Sequence, residues 1–338
     1  MSKHPLEHIS DIAIRSCVNI SRNIKDKPFP NRASDDISVK IRNEVYEAIK
    51  PVKEEMGLVF FDLDSLGENE RNSLIEKHII SKDLGIYSGS SCFYNKDETM
   101  STMINESDHL NIQGITKGFN VRASFEIAKE VEQYLSKYFK YAYSDKYGYL
   151  TCYPTNVGSG VSATVVLHLP ALSMLSAMNK VTMIASKFSL NVTGMSGDNV
   201  LGDLYQITSQ NSLSLLDTEI ISNIHNVTKD VIIMERSSRN ELMDKNEILL
   251  RDTVCRAYGV LTNAYTITID EAMKSLSEIK LGIDLGIIDN VDAEVVDQLM
   301  TDVQPYILNY LANRHMDVSE CSLYRAAYIK EKLLRQVK

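Results

Sequence analysis

The chain of 338 residues has no tryptophan, only five cysteines and seven prolines, and no run of about 18 apolar residues that would cross a membrane. No two cysteines have the C-x-x-C spacing of zinc or redox sites, so we expect free thiols and no metal site. The first residues lack the apolar segment of a secretory signal peptide, which predicts a cytoplasmic protein without a membrane partner. Basic residues are outnumbered, 36 to 45, and the net charge is −9. This balance argues against nucleic acid as a partner, because phosphate backbones are bound by clustered lysine and arginine.

The remaining composition, 44% hydrophobic and 24% charged, is that of a globular protein with a large core. Up to about residue 216 the chain alternates between strand-like and helix-like patterns. Strands are predicted at 10–24, 57–62, 99–104, 163–169 and 204–209, helices at 39–56, 69–78, 120–138 and 170–187, and a turn-rich loop at 191–198. From residue 217 onward the periodicity is helical, at 217–255, 269–284, 293–312 and 318–336. We therefore predict an α+β domain over residues 1–228, followed by an all-helical domain over residues 229–338.

Two short segments carry residue types that are used in catalysis or in phosphate binding. Glu106, Asp108 and His109 are close in sequence, where they could perform acid–base chemistry, hold a metal, or simply be solvated in a polar loop. Gly158-Ser159-Gly160 has the glycines of a phosphate-binding loop, but no G-K-[ST] follows them, so a turn is the simpler interpretation. Neither segment identifies a function by itself.

The order of the motifs along the chain is more informative than any one of them. Residues 105–113, N-E-S-D-H-L-N-I-Q, resemble the block N-E-E-D-H-[LI]-R-x-Q of the ATP:guanido phosphotransferases, the family of the phosphagen kinases and the bacterial protein-arginine kinases. Residues 148–165 resemble G-Y-L-T-S-C-P-T-N-[LV]-G-T-G-L-R-A-S-V, and residues 168–172 match H-L-P-A-L. E-K-H-I-I-S at 76–81, R-A-Y-G-V-L at 256–261 and L-G-I-D-L-G-I at 281–287 resemble segments of the protein-arginine kinases. The chain is thus identified as a member of this family, which implies an antiparallel sheet flanked by helices and a helical dimerisation domain.

Departures from the family pattern concern the residues that would hold ATP and the substrate. In the family, five arginines clamp the nucleotide phosphates, and the matching positions here are all neutral: Cys17, Asn19, Asn111, Ser162 and Thr193. The family's catalytic base, the second glutamate of N-E-E-D-H, is replaced by Ser107. A loop glutamate that holds the guanidinium group corresponds to Asp198, and the cysteine beside the substrate corresponds to Tyr153. Family residues are kept at Glu106, Asp108, His109 and His78.

These replacements predict an inactive protein, because phosphoryl transfer depends on positioning and on neutralising charge at the transferred group. A hydrogen bond to a charged group contributes roughly 1.5–3 kcal/mol, so five lost arginines would remove on the order of 7–15 kcal/mol if their effects were additive. Arg15 precedes Cys17 by two residues and shares its strand face, one step away. It could offer one phosphate contact but does not replace five. We therefore expect no cofactor, and Mg-ATP only if the chain is active after all.

A second ligand site of the family is also altered. Active protein-arginine kinases carry an R-D-x-x-R-A motif that binds phosphoarginine in the C-terminal domain. The matching residues 321–326 are C-S-L-Y-R-A, in which Cys321 and Ser322 replace the charged pair and Arg325 remains. The resemblance therefore implies a degenerate phosphoarginine pocket. The simpler interpretation of Arg325 is an exposed residue on a helix face.

Our main hypothesis is a pseudokinase with a regulatory or scaffolding role in protein-arginine phosphorylation and Clp-dependent protein quality control. The resemblance implies a homodimer and a protein partner, namely a zinc-finger activator, a Clp ATPase or an active kinase paralogue. One alternative is an active or residual ATP-dependent protein-arginine kinase. A further alternative is an altered enzyme, in which Glu106, Asp108, Asp198 and His109 form an acidic pocket for a cation or a basic peptide. The last is a non-catalytic subunit that pairs with an active paralogue.

Overall fold

The computed structural model describes residues 11–195, 200–210 and 215–335. Within these ranges eight strands form one antiparallel sheet in the order β2-β3-β4-β5-β1-β8-β10-β9, and two short strands form a hairpin. The strands are β1 (Ala13–Arg22), β2 (Leu58–Asp62), β3 (Ser91–Asn95), β4 (Met100–Ile104), β5 (Leu110–Lys117), β6 (Tyr143–Ser144), β7 (Gly148–Tyr149), β8 (Val161–His168), β9 (Leu190–Gly194) and β10 (Leu204–Ser209).

Helices pack against both faces of the sheet and form the C-terminal part of the chain. They are α1 (Asp35–Ile49), α2 (Glu68–Glu76), α3 (Val121–Leu135), α4 (Pro170–Met174), α5 (Met178–Ser186), α6 (Asp217–Asn263), α7 (Ile269–Asp284), α8 (Ala293–Asp302), α9 (Pro305–Leu311) and α10 (Val318–Leu334). The predicted α+β class, with a sheet flanked by helices and a helical C-terminal region, is confirmed. None of the described helices has the length and hydropathy needed to cross a bilayer.

The central strands β1, β5 and β8 have two chemically different faces. Val18 and Ile20 on β1 point into the main core, where α3 packs against β1 and β5. The contact is close at Gly114, where a Cβ atom would lie 2.0 Å from the backbone oxygen of Ser124 on α3. The opposite face is polar. We call it the cleft face. It carries Asn19 of β1, Gln113 of β5 and Ser162 of β8, which pair directly across the strands and therefore share a face.

Three predicted elements differ from the structure. The predicted helix at 170–187 is two helices, α4 and α5. Ser176 between them adopts φ 53°, a left-handed backbone conformation that interrupts a right-handed helix. The predicted helix at 293–312 is also two, since Gln304 is extended, as expected before the proline that begins α9. The predicted loop at 191–198 begins within β9, which pairs with β10 along its length.

The C-terminal helices have a core of their own. Helix α6 has 47 residues and spans the predicted domain boundary at residue 228, with non-helical backbone angles at Asn246. Its second half packs against α7 and α10 through a cluster that includes Val254, Leu276 and Ile329. The division at residue 228 therefore stays a prediction, while a separate helical core is a property of the structure.

Candidate functional site

The candidate site is a cleft bounded by the cleft face of the sheet and by the segment 77–81 that follows α2. Ser101 on β4 donates its hydroxyl to the backbone oxygen of Ile79, at 2.8 Å, and the backbone N–H of Ser81 contacts the Met103 sulfur. These contacts hold the segment against β4. The structure brings the predicted residues of β1, β5 and β8 together on this face, namely Arg15, Cys17, Asn19, Asn111 and Ser162.

The strand register explains how these residues meet. Asn19 on β1 pairs with Gln113 on β5 and with Ser162 on β8, and Cys17 pairs with Thr164 on β8. The Gln113 amide nitrogen donates to the Cys17 sulfur at 2.9 Å, and the Gln113 amide oxygen lies 2.8 Å from the Ser101 hydroxyl oxygen. Burial raises the pKa of the Cys17 thiol, so it stays protonated and uncharged. Neutral side chains that hydrogen-bond one another therefore occupy the middle of the cleft.

The remaining predicted clamp position lies near the edge of the sheet. Thr193 belongs to β9, where its hydroxyl accepts a hydrogen bond from the Gln206 amide of β10 at 3.0 Å. Strand β10 separates it from β8 and Ser162. Asp198, the predicted remnant of the family's loop glutamate, lies outside the described residues.

Glu106 and Ser107, which follow β4, form the chemical centre of the family's motif. The Glu106 carboxylate is only 6% exposed, and it accepts hydrogen bonds from the hydroxyls of Ser81 and Ser107 and from the Asn111 amide. The Ser107 and Asn111 contacts are both 3.0 Å long. Ser107, at the family's base position, acts as a donor here and has no negative charge. Three neutral donors thus engage the one carboxylate of this pair.

Asp108 and His109 are completely buried, so the solvated polar loop that we considered for this segment is wrong. Asp108 accepts from the Asn23 amide at 2.6 Å and from the backbone N–H of Cys152 at 2.7 Å. His109 accepts from the backbone N–H of Ile24 at 3.0 Å through Nδ1, so its proton is on Nε2 and is donated to the backbone oxygen of Pro28. Burial is the main cause that lowers the pKa of His109 to about 4, which keeps the ring neutral. Both side chains fix loops at the rim of the cleft.

Tyr153 and His78 lie at opposite parts of the cleft. Tyr153 is 52% exposed. Its partial burial, and to a smaller extent the nearby Asp83 carboxylate, raise the pKa of its hydroxyl. His78 adopts φ 58° directly after α2. Burial, then the positive charges of Arg15 and Lys82, lower the pKa of His78 to about 3. The imidazole is therefore neutral and offers no positive charge to a phosphate.

The residues predicted to form a degenerate phosphoarginine pocket contact other parts of the protein. Arg325 on α10 is only 3% exposed, so its interpretation as an exposed helix-face residue is wrong. Its guanidinium donates to the backbone oxygens of Val303 at 2.9 Å and Ile267 at 3.0 Å, and contacts the buried Cys321 sulfur at 3.3 Å. The hydroxyl of Ser322 donates to the backbone oxygen of Val318. Arg325 thus joins α10 to two other segments.

Sequence reasoning missed two lysines that border the cleft. Lys117 is the direct cross-strand partner of Arg15, and Lys82 follows the segment that bounds the cleft. The signal for Lys117 is the register between β1 and β5, which the sequence alone does not fix. Among the described residues no three His, Cys, Asp or Glu side chains are grouped so that they could hold a metal ion.

The chain was compared with known families and proteins. Residues 40–238 match the family model of the ATP:guanido phosphotransferase C-terminal catalytic domain, and residues 247–338 match that of the protein-arginine kinase McsB C-terminal domain. A protein-arginine kinase of Halothermothrix orenii is 39% identical over 326 residues, with 96% of this chain and 93% of the relative covered. That of Clostridium acetobutylicum is 34% identical over 335 residues, with 96% of each chain covered.

Two solved structures have a similar fold. Lombricine kinase is 21% identical with a TM-score of 0.59, over 68% of this chain and 67% of that one. The duplicated taurocyamine kinase of Schistosoma mansoni is 20% identical with a TM-score of 0.62, over 78% of this chain and 40% of that one. At this level of identity the likeness concerns the fold alone, and the predicted phosphagen-kinase-like fold is confirmed.

Proposed function

Because the chain belongs to the ATP:guanido phosphotransferase family, we propose that it is a catalytically inactive relative of the protein-arginine kinases with a regulatory or scaffolding role. One contrast carries the proposal. The matching residues Asp108 and His109 are buried and contact neighbouring loops, whereas the predicted clamp positions on β1, β5 and β8 are neutral and lie on the cleft face. The chain thus keeps family residues that stabilise the fold, and it has neutral residues at positions that would hold the nucleotide phosphates during the reaction.

Electrostatics supports this proposal. The phosphates of MgATP are usually held by guanidinium forks that donate two parallel hydrogen bonds and stay charged. At the five matching positions this chain offers a thiol, two amides and two hydroxyls. Three of these side chains, those of Cys17, Asn111 and Thr193, form hydrogen bonds with neighbouring side chains. One missing arginine can cost about 10³–10⁵ in the rate of phosphoryl transfer. The residues present do not fit the phosphates of MgATP in the family's manner.

A second candidate function is an active ATP-dependent protein-arginine kinase. The observation in its favour is that relatives 34–39% identical over nearly the whole chain are named protein-arginine kinases. The altered-enzyme alternative has less support, because Glu106 and Asp108 are engaged by neutral donors and His109 is buried in neutral form.

The role of an inactive member would be exercised through contacts with other proteins. We place a homodimer contact on the helical part of the chain, where Ile248, Leu249 and Val318 are 87%, 67% and 85% exposed. Exposed apolar side chains of this kind favour protein contacts when they are grouped. The partner would be a zinc-finger activator, a Clp ATPase or an active kinase paralogue, and the last would make this chain a non-catalytic subunit. Co-purification from the native host distinguishes these partners.

The decisive experiment measures phosphoarginine formation on a basic protein substrate, with titration calorimetry of MgATP and MgADP alongside. A protein-arginine kinase of one of the named relatives is the positive control. We expect no phosphoarginine above background. Transfer that disappears when Glu106 and Arg15 are replaced by glutamine would refute the proposal and establish the second candidate.

A further inference from the structure

Strand β2 forms one edge of the eight-stranded sheet, and part of its backbone lacks a hydrogen-bonding partner. Among the described strands it pairs with β3 alone. The Leu63 N–H continues this ladder by donating to the Ser90 oxygen at 3.0 Å, so the odd-numbered residues of β2 point their polar groups at β3. The C=O of Leu58, both polar groups of Phe60 and the N–H of Asp62 therefore point the other way. None of these four groups has a hydrogen bond within the described part of the chain.

The chain on both sides of this edge is strongly acidic. Residues 53–70 contain a single cation, Lys53, and six carboxylates, namely Glu54, Glu55, Asp62, Asp64, Glu68 and Glu70. Asp62 is paired with Arg42 of α1, whereas the other five carboxylates are exposed and form no ion pair among the described residues. More than half of the net charge of −9 is therefore concentrated around β2. A partner that lies along this edge meets a negative rim at both ends of the strand.

A small cavity of about 110 Å³ lies beside β2, between this strand, α2 and α9. Its lining includes three aromatic rings and two charged side chains, those of Phe61, Tyr94, Tyr310, Glu70 and Lys77. Lys77 is paired with Glu98 at 2.8 Å, so the uncompensated charge at the cavity is the Glu70 carboxylate. A guanidinium group stacks on aromatic faces and pairs with carboxylates through its planar fork. The lining therefore suits the end of an arginine side chain.

We propose that β2 and this cavity bind an extended, arginine-containing segment of another protein, which adds to the sheet as a further strand. The backbone of the segment would pair with the free polar groups of Phe60. The side chain opposite Val59 or Phe61 would leave on the cavity side, because residues paired across two strands share a face. In strand addition, main-chain hydrogen bonds give affinity and pockets for alternate side chains give specificity. This partner class rests on the proposed scaffolding role, but not on the absence of phosphoryl transfer.

Charge favours a basic segment over a second copy of this chain as the occupant of the edge. Two copies that paired through β2 would bring the same exposed carboxylates together, and like charges across a strand pair are destabilising. Charged residues beside an edge strand commonly prevent self-association in this way. A basic segment is instead attracted by the rim, which also selects it against neutral or acidic segments.

The test is fluorescence anisotropy of the full chain with a labelled peptide that alternates arginine and threonine. We expect saturable binding that weakens as NaCl is added, since salt screens the exposed carboxylates. The same peptide with citrulline in place of arginine keeps the shape but loses the charge, and it should bind much more weakly. Glu70→Gln should lower the affinity for the arginine peptide about tenfold, which corresponds to about 1.4 kcal/mol. Glu68→Gln is the matched control, because Glu68 is exposed on the same helix and does not line the cavity, and it should change the affinity far less.

Two further peptides test the backbone contact and the choice of occupant. An arginine peptide methylated at its backbone nitrogens cannot donate main-chain hydrogen bonds, so it should lose binding. Equal binding of the methylated and unmethylated peptides, of the citrulline and arginine peptides, or of Glu70→Gln and the wild type overturns the proposal. So does tighter binding of a peptide with residues 57–63 of this chain, which would assign the edge to a second copy. The phosphoarginine assay is independent of all these results, so a failure of the proposed inactivity is recognised separately.

Discussion

Replacing Asp108 by alanine should destabilise this protein strongly, although a carboxylate at this place in the family motif invites a catalytic role. The Asp108 carboxylate is fully buried and accepts hydrogen bonds of 2.6 Å from the Asn23 amide and 2.7 Å from the Cys152 backbone. Each such bond is worth roughly 1.5–3 kcal/mol, and the alanine variant leaves both donors buried without an acceptor. Burial also raises the pKa of Asp108, which shows that its charged form bears a desolvation cost. After that offset we expect a loss of about 3 kcal/mol in the free energy of unfolding.

Urea unfolding at neutral pH, followed by circular dichroism, measures this loss. Asp108→Asn should lose less, because the amide oxygen can still accept both hydrogen bonds. Asp83→Ala is the matched control, since Asp83 is exposed and its carboxylate has no hydrogen-bond partner among the described residues, and it should stay within about 0.5 kcal/mol of the wild type. If Asp108→Ala were as stable as Asp83→Ala, the structural role assigned to the kept motif residues would be wrong.

Three further predictions concern the residues that support the cleft. The stability difference between the wild type and His109→Asn should shrink by roughly 1.4 kcal/mol per pH unit as the pH falls from about 6.5 towards about 4. The reason is that the fold lowers the pKa of His109 to about 4, so that protonation favours the unfolded chain over this range. Unfolding curves at several pH values measure the difference, and a difference that does not change with pH contradicts the prediction. Arg22→Met should cost roughly 2–3 kcal/mol, because it removes the buried partner of Glu132 and leaves only the ion pair with Lys129 at 3.0 Å. Urea unfolding would measure this loss, and a loss below about 1 kcal/mol would refute the role of the Arg22–Glu132 pair. Gly114→Ala should displace α3 from β5, because its Cβ would meet the Ser124 oxygen, and a thermal midpoint equal to that of the wild type would contradict this packing.

Much of the fold could be predicted, since its elements depend on local periodicity. The strand at 10–24 and the helix at 120–138 were predicted from alternating and helical patterns, and both are present as β1 and α3. The break at Ser176 could not be predicted, because a left-handed serine is imposed by surrounding structure and has no local signal. The break before Pro305 had a signal in the proline itself, which disfavours a helical residue before it.

The site could be predicted only in part, because motifs give positions along the chain and not partners in space. The resemblance located Cys17, Asn19 and Asn111, and the strand register places them on one face. The burial of Arg325 was missed, because its acceptor Ile267 lies 58 residues away and nothing local marks the contact. Lys117 was missed for the same reason, since its pairing with Arg15 spans about one hundred residues of chain.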